Sequence, residues 1–459
     1  MTSLENSSPS GRTHSYFPST LSFYFCLAII VFAPLYRGGN RPLALMSLEL
    51  LGLILLALGY FVWKRENLTV GVFGWLVALI CLPVIYLVPL PTSIWELLPG
   101  TSIYVEILNQ LPEKTSFHAI TLYSGASLDA WVALIPVIAV FLFFVNSSYS
   151  QLIRLVYVVL AIAVFQSLLG LLQYTQGSES LLRFGMTGHA DSGIGTYPNR
   201  NHLAGFLEMF LPLALMFFFV SVSQFAHSKR GRFAKLAVLG NMRSGVLFVV
   251  SVLLLLGIVF TRSRTGLALG MFGVLLTAFL LLKLRSLTMV RKTTLITVVI
   301  VFTCAAEIGL LPVFERLANQ NPLSDSRWTL FASTWEGIRY FLPFGSGPGT
   351  FPYIYPRFQV PEITGFVNYA HNDYLQWLFE MGMGGGLLLL TAIWLFIMQW
   401  QYLWKGTKEN PHILVQLSCG VGIILLLLHS LVDFNLRIPA NSIYFSMLCG
   451  IFFRIKKEN

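Results

Sequence analysis

Charged residues are scarce in this sequence. Asp, Glu, Lys and Arg make up 11% of the 459 residues, whereas hydrophobic residues make up 56%. An ordinary soluble chain carries about 25% charged residues. Apolar runs of roughly 17 to 25 residues recur along the sequence, and runs of that length can cross a bilayer. The composition therefore excludes soluble classes and predicts an all-α, polytopic membrane protein.

Several other signals are missing. The five cysteines all lie inside apolar runs and form no CxxC pair, which favours small buried residues over disulfides or metal ligands. The polar N-terminal stretch lacks the basic start, short apolar core and cleavage site of a signal peptide. No HExxH or DxD spacing occurs in the segments predicted to lie outside the cytoplasm. These absences argue against a signal peptide, disulfides and a bound metal.

Twelve apolar runs are predicted to span the membrane. With the N-terminus in the cytoplasm, the most basic loops and the C-terminal tail fall on the cytoplasmic side, as the positive-inside rule requires. The even number of spans then places both termini there. The predicted spans are 20–36, 43–63, 70–88, 128–146, 151–174, 201–224, 244–261, 265–284, 293–311, 373–398, 412–431 and 439–455.

Lysine and arginine are distributed differently across this topology. Nine of the ten lysines fall on the cytoplasmic side, but eleven arginines fall on the outer side. Topology signals treat the two alike, whereas the rigid fork of arginine suits bidentate phosphate binding. The excess predicts an outward-facing, phosphate-bearing ligand; contact with lipid headgroups or loop carboxylates is the alternative for part of the set. The outer arginines are Arg37, Arg41, Arg183, Arg200, Arg262, Arg264, Arg316, Arg327, Arg339, Arg357 and Arg437.

Two outer segments are long. Residues 89–127 begin with PLPTSIWELLPG, which is predicted to lie at the membrane interface. In the largest loop, Ser324 or Asp325 is predicted to cap a helix running SRWTLFASTWEGIRYF. The apolar stripe of this helix fits either packing or contact with the membrane surface; it consists of Trp328, Phe331, Trp335 and Ile338. The predicted division is a cytoplasmic tail (1–19), spans one to nine (20–311), a periplasmic loop with amphipathic helices (312–372), and spans ten to twelve with a cytoplasmic tail (373–459).

The motif TYPNRNHLAGFLEMFLP ends an outer loop and begins the sixth span. Asn199 or Asn201 is predicted to cap this helix, whose N-terminus offers free N–H groups and positive potential to an anion. Arg200 lies at the same mouth, and Glu208 lies about 12 Å deeper at a helical rise of 1.5 Å per residue. His202 is either a ligand contact or a packing residue at the interface.

Arg262 and Arg264 lie in the tight outer turn TRSRTG between spans seven and eight. Two arginines one residue apart, beside hydroxyls and a glycine, suit a small phosphate clamp. The alternative is that they only cap and end the turn. Because so short a turn stays close to the membrane, the binding role is favoured.

The stretch FGSGPGTF is rich in glycine but is a weak nucleotide motif. No Lys-Ser or Lys-Thr pair follows it, no strand precedes it, and it faces the compartment without ATP. It is interpreted as a shaped backbone turn, with donation of N–H groups to a ligand as an added role.

The stretch NYAHNDYLQWLFEMGMGGG runs from a polar loop into the tenth span. Asn372 or Asp373 is predicted to cap that helix, on which Asn372, Gln376 and Glu380 share one face. Such polar residues face protein or water rather than lipid. His371 precedes the helix N-terminus, whose dipole favours a neutral ring that can accept a proton. A histidine that only caps and hydrogen-bonds is the alternative.

In NRNHLAGFLE, TRSRTG, DSRWTLF with FGSGPGTF, and above all AHNDYLQWLFEMG, the chain resembles the O-antigen ligase family, within the superfamily that also holds O-antigen polymerases. PLPTSIWELLPG is similar to a further family segment. The resemblance implies a twelve-helix, GT-C-like glycosyltransferase of the bacterial inner membrane, working at the periplasmic face. It implies a glycan donor on undecaprenyl diphosphate, a lipid A-core or growing glycan as acceptor, no metal or other cofactor, and no nucleic acid partner.

The resemblance also implies roles for individual residues. His371 corresponds to the catalytic histidine, and Arg200 with one of the TRSRTG pair corresponds to the arginines that bind the donor diphosphate. Arg264 is favoured over Arg262 because it starts the next helix. The supporting residues predicted around them are Asn199, Asn201, Asn372, Asp373, Glu380 and Arg327.

Two alternatives remain open at this point. A polymerase shares the donor and differs in its acceptor, which the sequence does not identify. A twelve-helix transporter or flippase also fits both termini inside, but its site tends to lie near the bilayer midplane on broken helices. The acidic residues and the histidine predicted to lie within the spans all fall in the outer half of the membrane, which favours chemistry on one side; they are Glu49, Glu208, Glu307, Glu380, His429 and Asp433.

Overall fold

The computed structural model describes residues 13–64, 67–112, 115–186, 191–228, 242–284, 326–406 and 410–455. Most of this part of the chain is helical. The helices are α1 Thr13–Phe32, α2 Pro42–Tyr60, α3 Val70–Tyr86, α4 Thr92–Trp95, α5 Ser102–Asn109, α6 Ser124–Val132, α7 Leu134–Asn146, α8 Tyr149–Gln176, α9 Arg200–Ser228, α10 Met242–Phe260, α11 Arg264–Leu284, α12 Ser326–Phe341, α13 Phe351–Ile354, α14 Asp373–Lys405, α15 Pro411–His429 and α16 Pro439–Phe452; the strands are β1 Pro89–Pro91 and β2 Phe117–Ala119.

The multi-pass membrane class is confirmed. Among the described residues, eight helices are long and apolar enough to cross a membrane, and Ser19–Phe32 and Val70–Tyr86 are shorter apolar helices. The predicted span 293–311 and the predicted cap at Ser324 or Asp325 lie outside the described residues. The total of twelve spans therefore stays a prediction.

Helix α9 forms the centre of the bundle. It packs against α10, α11 and α15, and 94% of its membrane-spanning window is buried. A helix that is apolar on all sides is expected in such a position. Its one acidic residue, Glu208, is fully buried and lies 2.9 Å from Nδ1 of His429 on α15. This pairing explains how a carboxyl group is tolerated deep in the bundle.

The described part of the chain is mostly helical, as predicted, and also contains one short two-stranded sheet. Strands β1 and β2 pair antiparallel, with Leu90 opposite His118. The first strand consists of a leucine between two prolines, and proline is confined to edge strands because it has no N–H to donate. Both strands of a two-stranded sheet are edge strands, so the prolines of β1 are compatible with the pairing. From the prolines, the sequence predicted only a stretch at the membrane interface and no strand.

Helix α12 forms as predicted but buries only part of the predicted stripe. Leu330, Ile338 and Phe341 are buried in a small core that packs against α14, whereas Trp328 and Trp335 are 53% and 47% exposed. Of the predicted stripe, Ile338 therefore lies in the packed face, whereas Trp328 and Trp335 do not. The aromatic ring of Phe341 also packs towards α14, with its centroid 5.6 Å from that of Phe379.

Helix α14 is interrupted at Gly382, where φ is 50° and ψ is −139°. The interruption frees backbone carbonyls, and in a membrane these need partners from the protein. The N–H groups of Ser346 and Gly347 supply them by donating to the carbonyls of Phe379 and Glu380 at 3.0 and 2.8 Å. The glycine-rich loop is thus the shaped turn that the sequence predicts, and these two N–H groups are not available to a ligand.

The predicted site residues meet at one end of the bundle, here called the site end. Arg262, between α10 and α11, contacts Asp191 before α9. His371, before α14, contacts Asp433 between α15 and α16. The chain folds these connections together because successive helices run in opposite directions. That this end faces the periplasm stays a prediction.

Candidate active site

The backbone of His371 is held in a left-handed conformation with φ of 51°. For a residue other than glycine this conformation costs about 1–2 kcal/mol, and such strain persists only where the surroundings fix it. The flanking residues supply that constraint. The N–H of Ala370 donates to Gln376 at 3.0 Å, the side chain of Asn372 donates to the carbonyl of Leu431 at 2.8 Å, and the N–H of Asp373 donates to Ser430 at 2.9 Å.

The helix cap beside His371 is Asn372 and not Asp373. The side-chain Oδ1 of Asn372 accepts hydrogen bonds from the backbone N–H groups of Tyr374 and Leu375, each at 3.0 Å. Asp373 instead accepts from the N–H of Leu436 at 3.0 Å. Of the two predicted caps, Asn372 caps α14, whereas Asp373 joins α14 to the turn before α16.

Asp433 is the fully buried carboxylate of the site. Its Oδ1 lies 3.4 Å from Nδ1 of His371 and 3.9 Å from Nε2 of His202. Its Oδ2 accepts from the side-chain amide of Asn201 and lies 3.9 Å from Arg327. Burial raises the pKa of the Asp433 carboxyl, but His371, His202 and Arg327 outweigh burial and hold this pKa below its ordinary value. Asp433 is therefore a carboxylate at neutral pH.

Phe434 forms an aromatic wall next to that carboxylate. The ring of His371 meets it edge-on at a centroid distance of 4.7 Å, and His202 meets it at 4.6 Å. Tyr369 stacks on the same ring at 4.3 Å. Two histidines are thus packed by one phenylalanine while their nitrogens lie near one carboxylate, an arrangement that fixes the ring orientation of His371.

Arg200 and Arg262 converge on a single carboxylate. Arg200 lies 3.7 Å from one oxygen of Asp191, and Arg262 lies 3.1 Å from the other. Arg262 has φ of 52°, a second strained backbone at the site end. Asn199 accepts from the N–H of Asn201 at 2.9 Å, as expected of a cap at the start of α9.

Arg264 is the first residue of α11, as the sequence predicts. The positive end of the helix dipole lies beside its side chain, which adds to the favourable potential for an anion. The structure therefore brings Arg200 and Arg262 together, and Arg264 follows two residues after Arg262, at the start of α11.

Glu380 lies below His371 in a network of its own. Its Oε1 accepts from Gln376 at 3.0 Å and its Oε2 accepts from Arg437 at 2.9 Å. Burial lowers the pKa of Arg437, but Glu380 and Asp373 outweigh burial and raise it. Because Gln376 also accepts from the N–H before His371, this network supports the backbone of the histidine from beneath.

A cavity of about 490 Å³ opens beside His371. Arg327, Asn199 and His202 contribute polar groups to its lining, and Phe434 forms part of its apolar wall. The side chain of His371 is 32% exposed, so a molecule in the cavity can reach its ring. Among the described residues, no group of three or more His, Cys, Asp or Glu is arranged to hold a metal ion.

Residues 249–390 match the family model of the O-antigen ligases. Over this segment the chain is similar to the O-antigen ligases. The matched segment holds Arg262, Arg264, Arg327 and His371, whereas Arg200 and Asp433 lie outside it and reach the site through the fold. No curated protein matches the chain. The family supports a glycosyltransferase of the ligase or polymerase type, with a lipid-linked glycan and an acceptor as partners.

Sequence reasoning undervalued two members of this site. His202 packs on Phe434 and faces Asp433, and its contact with a ligand stays a prediction. Asp433 is not among the residues predicted to form the site. Its signal was a carboxylate between two apolar spans, which needs a specific partner because an isolated buried charge is costly.

Proposed function

We propose that this protein is an O-antigen ligase-like glycosyltransferase that moves a glycan from undecaprenyl diphosphate to a hydroxyl group of lipid A-core at the periplasmic face of the inner membrane. The observation that carries the proposal is the pairing of His371 with buried Asp433 beside an open cavity. A ring fixed by a carboxylate and accessible to a ligand is the arrangement required of a general base.

In the proposed reaction His371 accepts the proton of the acceptor hydroxyl. The acceptor oxygen forms a bond to the anomeric carbon of the donor glycan, and the bond from that carbon to the phosphate oxygen breaks. Undecaprenyl diphosphate leaves with the bonding electron pair. Asp433 stabilises the imidazolium that forms, and its buried position strengthens this interaction.

The leaving diphosphate gains negative charge as the bond breaks. Arg200 and Arg264 are the residues proposed to balance it, because positioned cations act most strongly where charge develops. Asp191 holds Arg200 and Arg262 near each other. In this mechanism arginine supplies the charge stabilisation, so metal independence is part of the proposal.

One structural feature favours the transporter alternative, since broken helices such as α14 are typical of transporter sites. Here the break at Gly382 is filled by residues 343–347, whose backbone pairs with the freed carbonyls. It therefore does not line a substrate path between the described helices. The transferase remains the better explanation.

The test is the profile of lipid-linked glycans in a strain lacking the gene. A ligase predicts that polymer persists on undecaprenyl diphosphate while attachment to lipid A-core is lost. Accumulation of single repeat units identifies a polymerase instead. Unchanged glycans, with altered export of another solute, would replace the transferase with a transporter.

A further inference from the structure

The cavity beside His371 is not built like a diphosphate site. Arg327 is the one arginine among the described residues of its lining, and it lies 3.9 Å from the Asp433 carboxylate. Neither Arg200 nor Arg264 contributes to that lining. A diphosphate carries several negative charges, so its natural place is at the arginines and not inside this cavity.

Two asparagine side-chain amides that can hydrogen-bond to a ligand line the cavity instead. Asn40 comes from the connection between α1 and α2, and Asn368 comes from the loop before α14. Within the described ranges, neither side chain has a hydrogen-bond partner in the protein. An asparagine amide both donates and accepts hydrogen bonds, as a sugar hydroxyl does. The polar groups of this cavity thus suit a neutral, hydroxylated ligand.

The loop that presents Asn40 is tightly shaped. Arg37, Gly38 and Gly39 have consecutive left-handed φ values of 53°, 64° and 76°. A Cβ atom on Gly38 would lie 3.1 Å from the ring of Tyr197, so the loop is pressed against the segment that leads into α9. The position of Asn40 is therefore set by the fold, as a binding group requires.

The cavity lining also includes exposed aromatic surface. Phe366 lines the cavity, and 67% of its side chain is exposed. The loop that carries it is held by Gln359, whose amide donates to the carbonyls of Ile363 and Gly365 at 2.8 and 2.9 Å. An exposed ring on a fixed loop offers a flat face to the C–H side of a sugar.

We infer that this cavity binds the acceptor sugar, with Asn40 and Asn368 hydrogen-bonding its hydroxyls and Phe366 lying against its C–H face. The bound sugar then presents one further hydroxyl to His371. The inference rests on the proposed function and deepens it, because it separates an acceptor subsite from the donor arginines. It makes these three residues determinants of acceptor recognition rather than of chemistry.

The test uses the full-length protein in detergent with two purified substrates. The donor is undecaprenyl-diphosphate-linked glycan, and the acceptor is lipid A-core from the deletion strain. Steady-state transfer is measured for N40A, N368A, the double variant and F366A, with each substrate varied in turn. N109A is the matched control, because Asn109 is an exposed amide at the same end of the bundle outside the cavity.

We expect the KM for lipid A-core to rise several-fold in each single variant and on the order of 10-fold in the double variant, the range of neutral hydrogen bonds. The KM for donor and kcat should stay within about twofold of the wild type, as should every constant of N109A. A rise in donor KM, or unchanged acceptor KM in folded variants, overturns the inference while leaving the transferase intact. If the wild-type protein transfers no glycan to lipid A-core, the proposed function itself fails.

Discussion

Replacing Asp433 with asparagine removes one buried negative charge and keeps a side chain of nearly the same shape. The carboxylate lies 3.4 Å from the ring nitrogen of His371, so its attraction for an imidazolium is about 5 kcal/mol at an effective dielectric constant of 20. His371 is about one-third exposed, and solvent screening reduces this value. A remaining effect of roughly 1.4–4 kcal/mol corresponds to a 10- to 10³-fold loss of transfer rate.

The assay is single-turnover transfer measured beside donor binding. D433N should lower the transfer step without weakening donor binding, because the donor arginines do not depend on this carboxylate. The matched control is E336Q, which removes one negative charge from an exposed pair on α12 and should change neither quantity by more than about twofold. His371 itself should be tested as H371N, since asparagine tolerates the left-handed backbone that alanine strains. The expected loss for a missing general base is roughly 10²- to 10⁴-fold.

The double variant decides whether Asp433 acts through His371. If it does, H371N/D433N should be no slower than H371N alone, because the carboxylate then has no imidazolium to stabilise. Additive losses would refute this reasoning, and so would near-normal transfer by folded H371N. The lowered pKa of Asp433 adds a pH criterion. Its charge is present above the ordinary value of about 3.9 and lost only below it, so no limb of the rate profile near neutral pH should belong to Asp433.

Further predictions concern the donor site, the metal, the helix break and the topology. Arg200→Lys and Arg264→Lys should each lower transfer on the order of 10²-fold and weaken donor binding, because an ammonium lacks the bidentate fork; normal donor binding in both would remove them from the site. Activity of the purified protein should persist in excess EDTA, and rescue by magnesium after a loss would show that arginine is not sufficient. Gly382→Ala should lower the free energy of unfolding by about 2 kcal/mol or more in thermal unfolding, because the new Cβ would lie 2.6 Å from the backbone of Phe344. Gly365→Ala is the control, since Gly365 also has a positive φ but has open space around it, and its expected cost is smaller. Equal shifts in melting temperature for the two variants would contradict the clash at Gly382. Gln110→Cys in a background without native cysteines should react with an impermeant thiol reagent in intact spheroplasts, and protection there would reverse the predicted topology.

Much of the fold could be predicted from the sequence because membrane helices depend on local composition. A run of about 20 apolar residues forms a helix in lipid whatever its neighbours do, since its backbone must satisfy its own hydrogen bonds. The same locality explains why the helix Ser326–Phe341 and the cap at Asn372 were predicted. The short strands β1 and β2 escaped prediction because their pairing partners are separated by the helices between them, and the local proline pattern does not show this.

The sequence by itself therefore determined the membrane class, the main helices, the family resemblance and the histidine before α14. Only the tertiary structure decided which polar groups meet there. Asn201 and Asp433 are 232 residues apart and still form a hydrogen bond, while Asp191 joins Arg200 to Arg262. The hydrophobicity pattern does not predict such long-range contacts, because a helix that is apolar on all sides does not indicate which side packs against which neighbouring helix. The facing sides are set by packing, of α9 among α10, α11 and α15 and of α14 against α15, and the contact of α14 with α15 brings Asp433 to His371.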